Sequence, residues 1–248
     1  MFEGSRISPE TADTTNARRR AAILTGAVGA LFAILFLTSL WLLSQAPRPG
    51  SDAQSFIDFY NSSERRKIVL VGLYVLPFSA IAFIWFLAAL RQWVAQSHRR
   101  GSQLVGTVQL LSGVGFIILA LASAAASTMP AALAELSDQA IDPEMARDFP
   151  LYGNALLLVF GVRLSAMFVM TTTNIGRASG YMPKWFAYIG YVVAAVLFLS
   201  YSLTVWLAVV FPLWVLGLGL LIIFLAYESS PESLAESLEP PGQLADEI

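Results

Sequence analysis

Three observations predict an all-α fold, a polytopic transmembrane bundle of six helices. Hydrophobic residues make up 56% of the chain and charged residues only 13%. Soluble domains average about 25% charged residues and lack apolar runs of about 20 or more. The charges here fall in short stretches, and long uncharged runs lie between them. A bilayer core of about 30 Å needs about 20 apolar residues in a helix. Helices are the open-chain way across, because each backbone N–H and C=O must find its partner within the segment.

Residues 1–20 form a polar N-terminal segment that ends in Arg18, Arg19 and Arg20. The first span, Ala21–Ser44, carries no charge. Ser44-Gln45-Ala46 resembles a signal cleavage site, but the preceding apolar run exceeds the roughly 7–15 residues of a signal peptide. A retained helix is the reading. Ser51–Glu64 holds Phe56, Ile57, Phe59 and Tyr60 among acids. That pattern predicts a short interfacial helix resting its aromatic face on the membrane. The second span, Ile68–Leu90, contains Pro77, which is expected to kink it. The third, Leu104–Ser127, contains the polar Gln109.

Met129–Phe149 is an acidic loop with Glu135, Asp138, Asp142, Glu144 and Asp148 against Arg147. It lacks the alternating spacing and central glycine of a calcium loop and reads as a solvated face. Within it, Asp142-Pro143-Glu144 predicts a helix N-cap followed by proline at the first helical position. The fourth span, Pro150–Gly176, contains Asn154 and a single charge, Arg163. Trp185–Tyr227 is uncharged and about twice one span in length. Pro212 suits the first turn of a helix, so a tight turn is expected within Leu203–Phe211, with helix five before it and helix six after. Residues 21–227 thus form the transmembrane domain. Residues 228–248, acidic and holding Pro231, Pro240 and Pro241, are expected to be a disordered tail.

Short-loop lysines and arginines set orientation. With the N-terminus inside, nine lie inside (Arg6, Arg18, Arg19, Arg20, Arg91, Arg99, Arg100, Arg177, Lys184) and five outside (Arg48, Arg65, Arg66, Lys67, Arg147). Both termini are therefore expected in the cytoplasm. Trp41, Trp206 and Trp214 are expected at outer helix ends, Trp93 and Trp185 at inner ones, and Trp85 deeper. Small residues repeat every four positions at Ala22, Gly26 and Ala30, at Gly161 and Ser165, and at Gly190 and Ala194. They mark faces where helices can approach closely, within this chain or against a partner membrane protein.

The composition excludes several chemistries. The chain has no cysteine, so disulfides, thiolate catalysis and iron–sulfur ligation are out. It has one histidine, His98, which sits beside Arg99 and Arg100 in a loop. Metalloprotease, serine-hydrolase and nucleotide-binding signatures are missing. A net charge of -2 offers no basic surface for nucleic acid. No cofactor is implied. No acid occurs in residues 68–134 or 149–227, which argues against ion-coupled transport through an intramembrane carboxylate.

Arg163 remains as the candidate polar intramembrane site. A guanidinium keeps its proton, and a charge at that depth costs at least about 2.5–3.5 kcal/mol. One reading is that Arg163 points inward and is satisfied by Asn154, Gln109, hydroxyls, water and backbone carbonyls. The others are an acidic residue on a partner protein, a lipid headgroup, or a bound anionic solute.

The stretch Ser55–Trp93, with Phe59-Tyr60 and Trp85-Phe86-Leu87 ahead of Leu90-Arg91, resembles bacterial multi-pass membrane proteins to which no activity is assigned. Gly180-Tyr181-Met182-Pro183-Lys184-Trp185 followed by Tyr188-Ile189-Gly190-Tyr191, and Phe211-Pro212-Leu213-Trp214, are similar in the same way. The resemblance implies a six-helix bundle in a bacterial plasma membrane and supplies no catalytic residues. The expected role is a non-enzymatic scaffold, accessory subunit or regulator. The alternative is a small transporter or channel for an anionic or amphipathic solute that uses Arg163.

Overall fold

The computed structural model describes residues 9–47, 51–95, 103–136, 142–200 and 206–228. Arg6, Arg48, His98, Arg99, Arg100, Asp138 and the tail beyond Glu228 lie outside the described residues. The elements in order are α1 (Pro9–Leu43), α2 (Ala53–Asn61), α3 (Ser63–Ala95), α4 (Gln103–Leu136), α5 (Pro143–Ala155), α6 (Val162–Ser179), α7 (Lys184–Leu199) and α8 (Trp206–Glu228). A π-helical segment, Leu156–Gly161, joins α5 to α6 without a break. Among the described residues there is no strand.

Five segments are long and apolar enough to cross a membrane: Arg19–Leu43, Ser63–Gln92, Gln103–Leu136, Glu144–Ser179 and Trp206–Tyr227. A shorter apolar helix, α7, has 16 residues. At 1.5 Å per residue it is about 24 Å long.

The core explains why these helices associate. Lipid is as apolar as leucine, so association in a membrane rests on packing and on polar ties between helices. Each long span sends phenylalanine inward: Phe32 and Phe36 from α1, Phe83 and Phe86 from α3, Phe116 from α4, Phe168 from α6 and Phe211 from α8, all buried. Phe83 lies at their centre, with ring centroids 4.7 Å from Phe32, 5.4 Å from Phe168 and 5.8 Å from Phe211. Tilted and edge-on rings at such separations suit the aromatic quadrupole. Helix α7 contributes no ring to this cluster; its Phe186 meets Trp214 of α8 instead, at 6.1 Å.

Buried hydroxyls tie the helices by bonding to the neighbouring backbone. Ser39 of α1 donates to the Gly72 carbonyl of α3 at 2.6 Å. Ser79 of α3 donates back to Phe32 at 3.3 Å, and Ser123 of α4 donates to Gly153 at 2.7 Å. The small-residue face of α1 meets α8. A Cβ on Gly26 would lie 2.4 Å from the Gly219 carbonyl oxygen, and one on Gly219 would lie 2.7 Å from that of Gly26. Gly190 likewise lets α7 close on Thr173 of α6. At the far end of the α1–α8 pair the Arg19 guanidinium stacks 4.9 Å above the Tyr227 ring.

The structure departs from four sequence-based expectations. Helix α8 includes Trp206–Phe211, so most of the expected turn Leu203–Phe211 is helical; its first three residues lie outside the described residues, and α7 already ends at Leu199. Pro212 sits inside α8 rather than in its first turn. Proline is tolerated there because neighbouring helices in a membrane hold the segment. Trp214 is buried rather than interfacial, packed on Phe186.

The fourth departure lies at α2. The helix forms, but its aromatic face does not point at the membrane. Phe56, Phe59 and Tyr60 are buried against Val69 of α3, Ala131 of α4 and Ala146 of α5. These elements make a second core at one end of the bundle. Arg66 pins it by donating to the Tyr60 carbonyl at 2.6 Å and pairing with Glu135 at 2.9 Å. Asp142 caps α5 as expected, accepting from the Glu144 N–H at 3.0 Å, with Pro143 following it. The acids of this region are thus partly engaged in structure, Asp148 also pairing with Arg147 at 3.1 Å. The Tyr60 hydroxyl is buried with no hydrogen-bond partner among the described residues, and that burial pushes its pKa up to about 12.

Candidate functional site at Arg163

Helices α6 and α7 form an antiparallel hairpin, closed by Gly180 in the left-handed conformation at φ 78°. The Met182 N–H returns to the Gly176 carbonyl at 3.3 Å, and Met182 packs where a Cβ on Gly176 would stand. Such a closure fixes the register of the two helices. Residues equally far from the turn face each other. Thr173 meets Gly190 in this way, and Arg163 meets Ser200.

Arg163 donates through Nη2 to the Ser200 carbonyl at 2.7 Å. Its Nη1 donates to the Leu158 carbonyl. Ser200 is the C-cap of α7, and its own N–H bonds Val196 at 3.0 Å. The last carbonyls of any α-helix have no partner within it, and they carry the negative end of its dipole. Leu158 lies in the π-helical segment. Arg163 therefore bridges two irregular points of backbone, the short end of α7 and the π turn.

Depth makes the arrangement necessary. Arg163 is 14 residues from Arg177, about 21 Å along the helix. If Arg177 marks one edge of a hydrocarbon layer of about 30 Å, Arg163 lies about 9 Å inside the other. Helix α7 stops at the same level. A helix end in hydrocarbon leaves carbonyls that water cannot reach, at several kcal/mol for each unsatisfied group. A planar five-donor cation answers both the orphan carbonyls and the dipole.

The three candidate polar residues do not converge. Gln109 of α4 donates to the Thr172 hydroxyl of α6 at 2.7 Å, fully buried. Thr172 is nine residues beyond Arg163, about 13 Å along the helix. Asn154 is nine residues before it, half-buried, and bonded to neither. Of the partners expected for an inward Arg163, the structure shows two backbone carbonyls and neither Asn154 nor Gln109. Its partners are main-chain atoms, which side-chain identity does not advertise. The signal that could have found Ser200 is the hairpin register counted from the middle of the turn, between Tyr181 and Met182.

Known proteins add no relative: no protein family matches the chain, and no curated protein and no solved structure is similar to it.

Proposed function

We propose that this protein is a non-enzymatic component of a bacterial plasma membrane, a scaffold, accessory subunit or regulator, crossing the bilayer six times with both termini in the cytoplasm. One observation carries the reading: the bundle centre is filled by seven mutually packed phenylalanines drawn from all five long helices. A solute path along the bundle axis would have to displace these rings. Arg163, the intramembrane charge that a solute site would use, is engaged by Leu158 and Ser200. What the bundle offers is its outer surface. Apolar side chains such as Leu24, Tyr74, Trp85, Leu111 and Val192 point outward along the spans, toward lipid or a partner's helices.

Six crossings require α7 to count as a span. Its pairing with α6 along its full length, from Lys184 to Ser200, supports that. An even number of crossings agrees with Arg19 and Tyr227 meeting at one end of the bundle. The excess of basic residues on that side favours the cytoplasm.

The test has two arms. Reporter fusions at residues 15 and 245 should both read the cytoplasmic side; opposite sides would remove α7 from the spans. In proteoliposomes, the purified chain should pass chloride, sulfate and small carboxylates no faster than protein-free vesicles. Flux that Phe83→Ala accelerates and Arg163→Lys abolishes would replace this reading with the solute-carrier alternative.

A further inference from the structure

We propose that the α6–α7 hairpin is a clamp for the phosphate of an anionic phospholipid, with Arg177 and Lys184 as its two cationic jaws. A cavity of about 160 Å³ opens at this turn, lined by Arg177, Lys184, Ala187 and Tyr188. Arg177 lies in the last turn of α6 and Lys184 is the first residue of α7. The turn at Gly180 joins the two helices that carry them.

The two charges have no acidic partner among the described residues. Neither Arg177 nor Lys184 makes an ion pair among the described residues, and no acid occurs between Phe149 and Tyr227. Lys184 also sits where its charge is unfavourable, since a helix N-terminus is itself the positive end of a dipole. Pro183, the N-cap, has no side-chain acceptor for the first-turn N–H groups of α7. Two cations on one cavity want an anion with several acceptor oxygens. A phosphate has them, and arginine meets it bidentately.

The surroundings favour a lipid over a free ion. Tyr188, which lines the cavity, and Trp185, next in the chain to Lys184, are exposed. Exposed indole and phenol rings at a helix end belong to the headgroup layer of a bilayer. The cavity thus opens where phospholipid phosphates lie, with apolar helix below it for the acyl chains. This site is distinct from Arg163 and independent of whether the protein acts as a scaffold.

The experiment uses the full-length chain, extracted in mild detergent and titrated with phosphatidylglycerol, phosphatidylcholine or inorganic phosphate, with bound species counted by native mass spectrometry. Phosphatidylglycerol should be retained in preference to phosphatidylcholine, and inorganic phosphate should not compete. Each cation near a headgroup supplies about a fivefold factor, so R177Q/K184Q should bind about 25-fold more weakly. R91Q, an exposed cation at the end of α3, should change binding less than twofold. The charge-preserving swap R177K/K184R guards against loss of fold and should bind within about threefold of the native chain. Equal retention by R177Q/K184Q, an equal loss in R91Q, or a large loss in the swap would overturn the clamp. Full competition by inorganic phosphate would make it a free-anion site and overturn the lipid assignment.

Discussion

Replacing Arg163 by methionine removes the two donors that bridge Leu158 and Ser200 while keeping a long side chain in the same space. In a soluble protein two hydrogen bonds to a charged group would be worth about 3–6 kcal/mol. Within membranes, measured side-chain hydrogen bonds average about 0.6 kcal/mol and reach about 1.7, because the inserted but unpacked chain also finds partners. The membrane scale is the relevant one at this depth, and it gives a loss of about 1–3 kcal/mol. The insertion cost of the charge itself, about 2.5–3.5 kcal/mol, is present in the unpacked helix as well and cancels in the packing equilibrium. R163M should therefore insert more readily yet pack less stably. Reversible unfolding in mixed micelles measures the second quantity. A local readout is also accessible, because the chain has no cysteine. Ser200→Cys leaves the main-chain carbonyl in place and adds a single thiol. Its maleimide labelling should accelerate about 5- to 150-fold in the R163M background, the factor equivalent to 1–3 kcal/mol of local opening. R163K should lie between, since one ammonium cannot reproduce the fork. Unchanged unfolding together with unchanged labelling would refute the helix-end role.

The contact of α1 with α8 is tight enough to be broken by one methyl group. Gly26→Ala would place its Cβ 2.4 Å from the Gly219 oxygen and 2.5 Å from Ile223, so the helices must separate at a cost of about 1–3 kcal/mol. Gly106→Ala on α4 meets nothing within 4 Å and should be neutral or stabilising by up to about 1 kcal/mol. Equal unfolding midpoints for the two would contradict the packing. For Tyr60 the neutral phenol is the form favoured on folding, because burial lifts its pKa from 10.0 to about 12. That stabilisation is complete below pH 10 and is lost as pH rises through 12. Tyr60→Phe should remove this alkaline loss and leave neutral-pH stability the same or about 1–3 kcal/mol higher, the hydroxyl being unpaired. Circular dichroism and phenolate absorbance across that window report it.

Hydropathy made the long spans legible, since an apolar stretch of that length has no other stable fate. Local chemistry was legible too: Asp142 and Pro143 cap α5 as their side chains require. What escaped was anything set by a distant partner. The 53–61 stretch showed one aromatic face, but periodicity does not say whether lipid or protein covers it, and Ala131 and Ala146 lie far along the chain. Pro212 was read by the habits of soluble helices, whereas a packed membrane helix carries proline in its interior. Arg163 stood out as a lone charge, yet its acceptors are carbonyls 5 and 37 residues away. Gln109 was recognised as a bridging residue, but Thr172, its partner, has no sequence mark that separates it from the threonines on either side.

The shortness of α7 bears on the lipid itself. With α7 as the sixth span proposed above, a helix of about 24 Å beside others that exceed 30 Å would give the protein an uneven hydrophobic girth, thinner by about 6 Å along one flank. Acyl chains next to that flank must compress or tilt, at a fraction of a kcal/mol per ångström. Two copies that turned their thin flanks toward each other would share one dimple in the bilayer instead of maintaining two. Hydrophobic mismatch alone therefore supplies a weak, orientation-dependent attraction, strengthened in thicker membranes and relaxed in thinner ones.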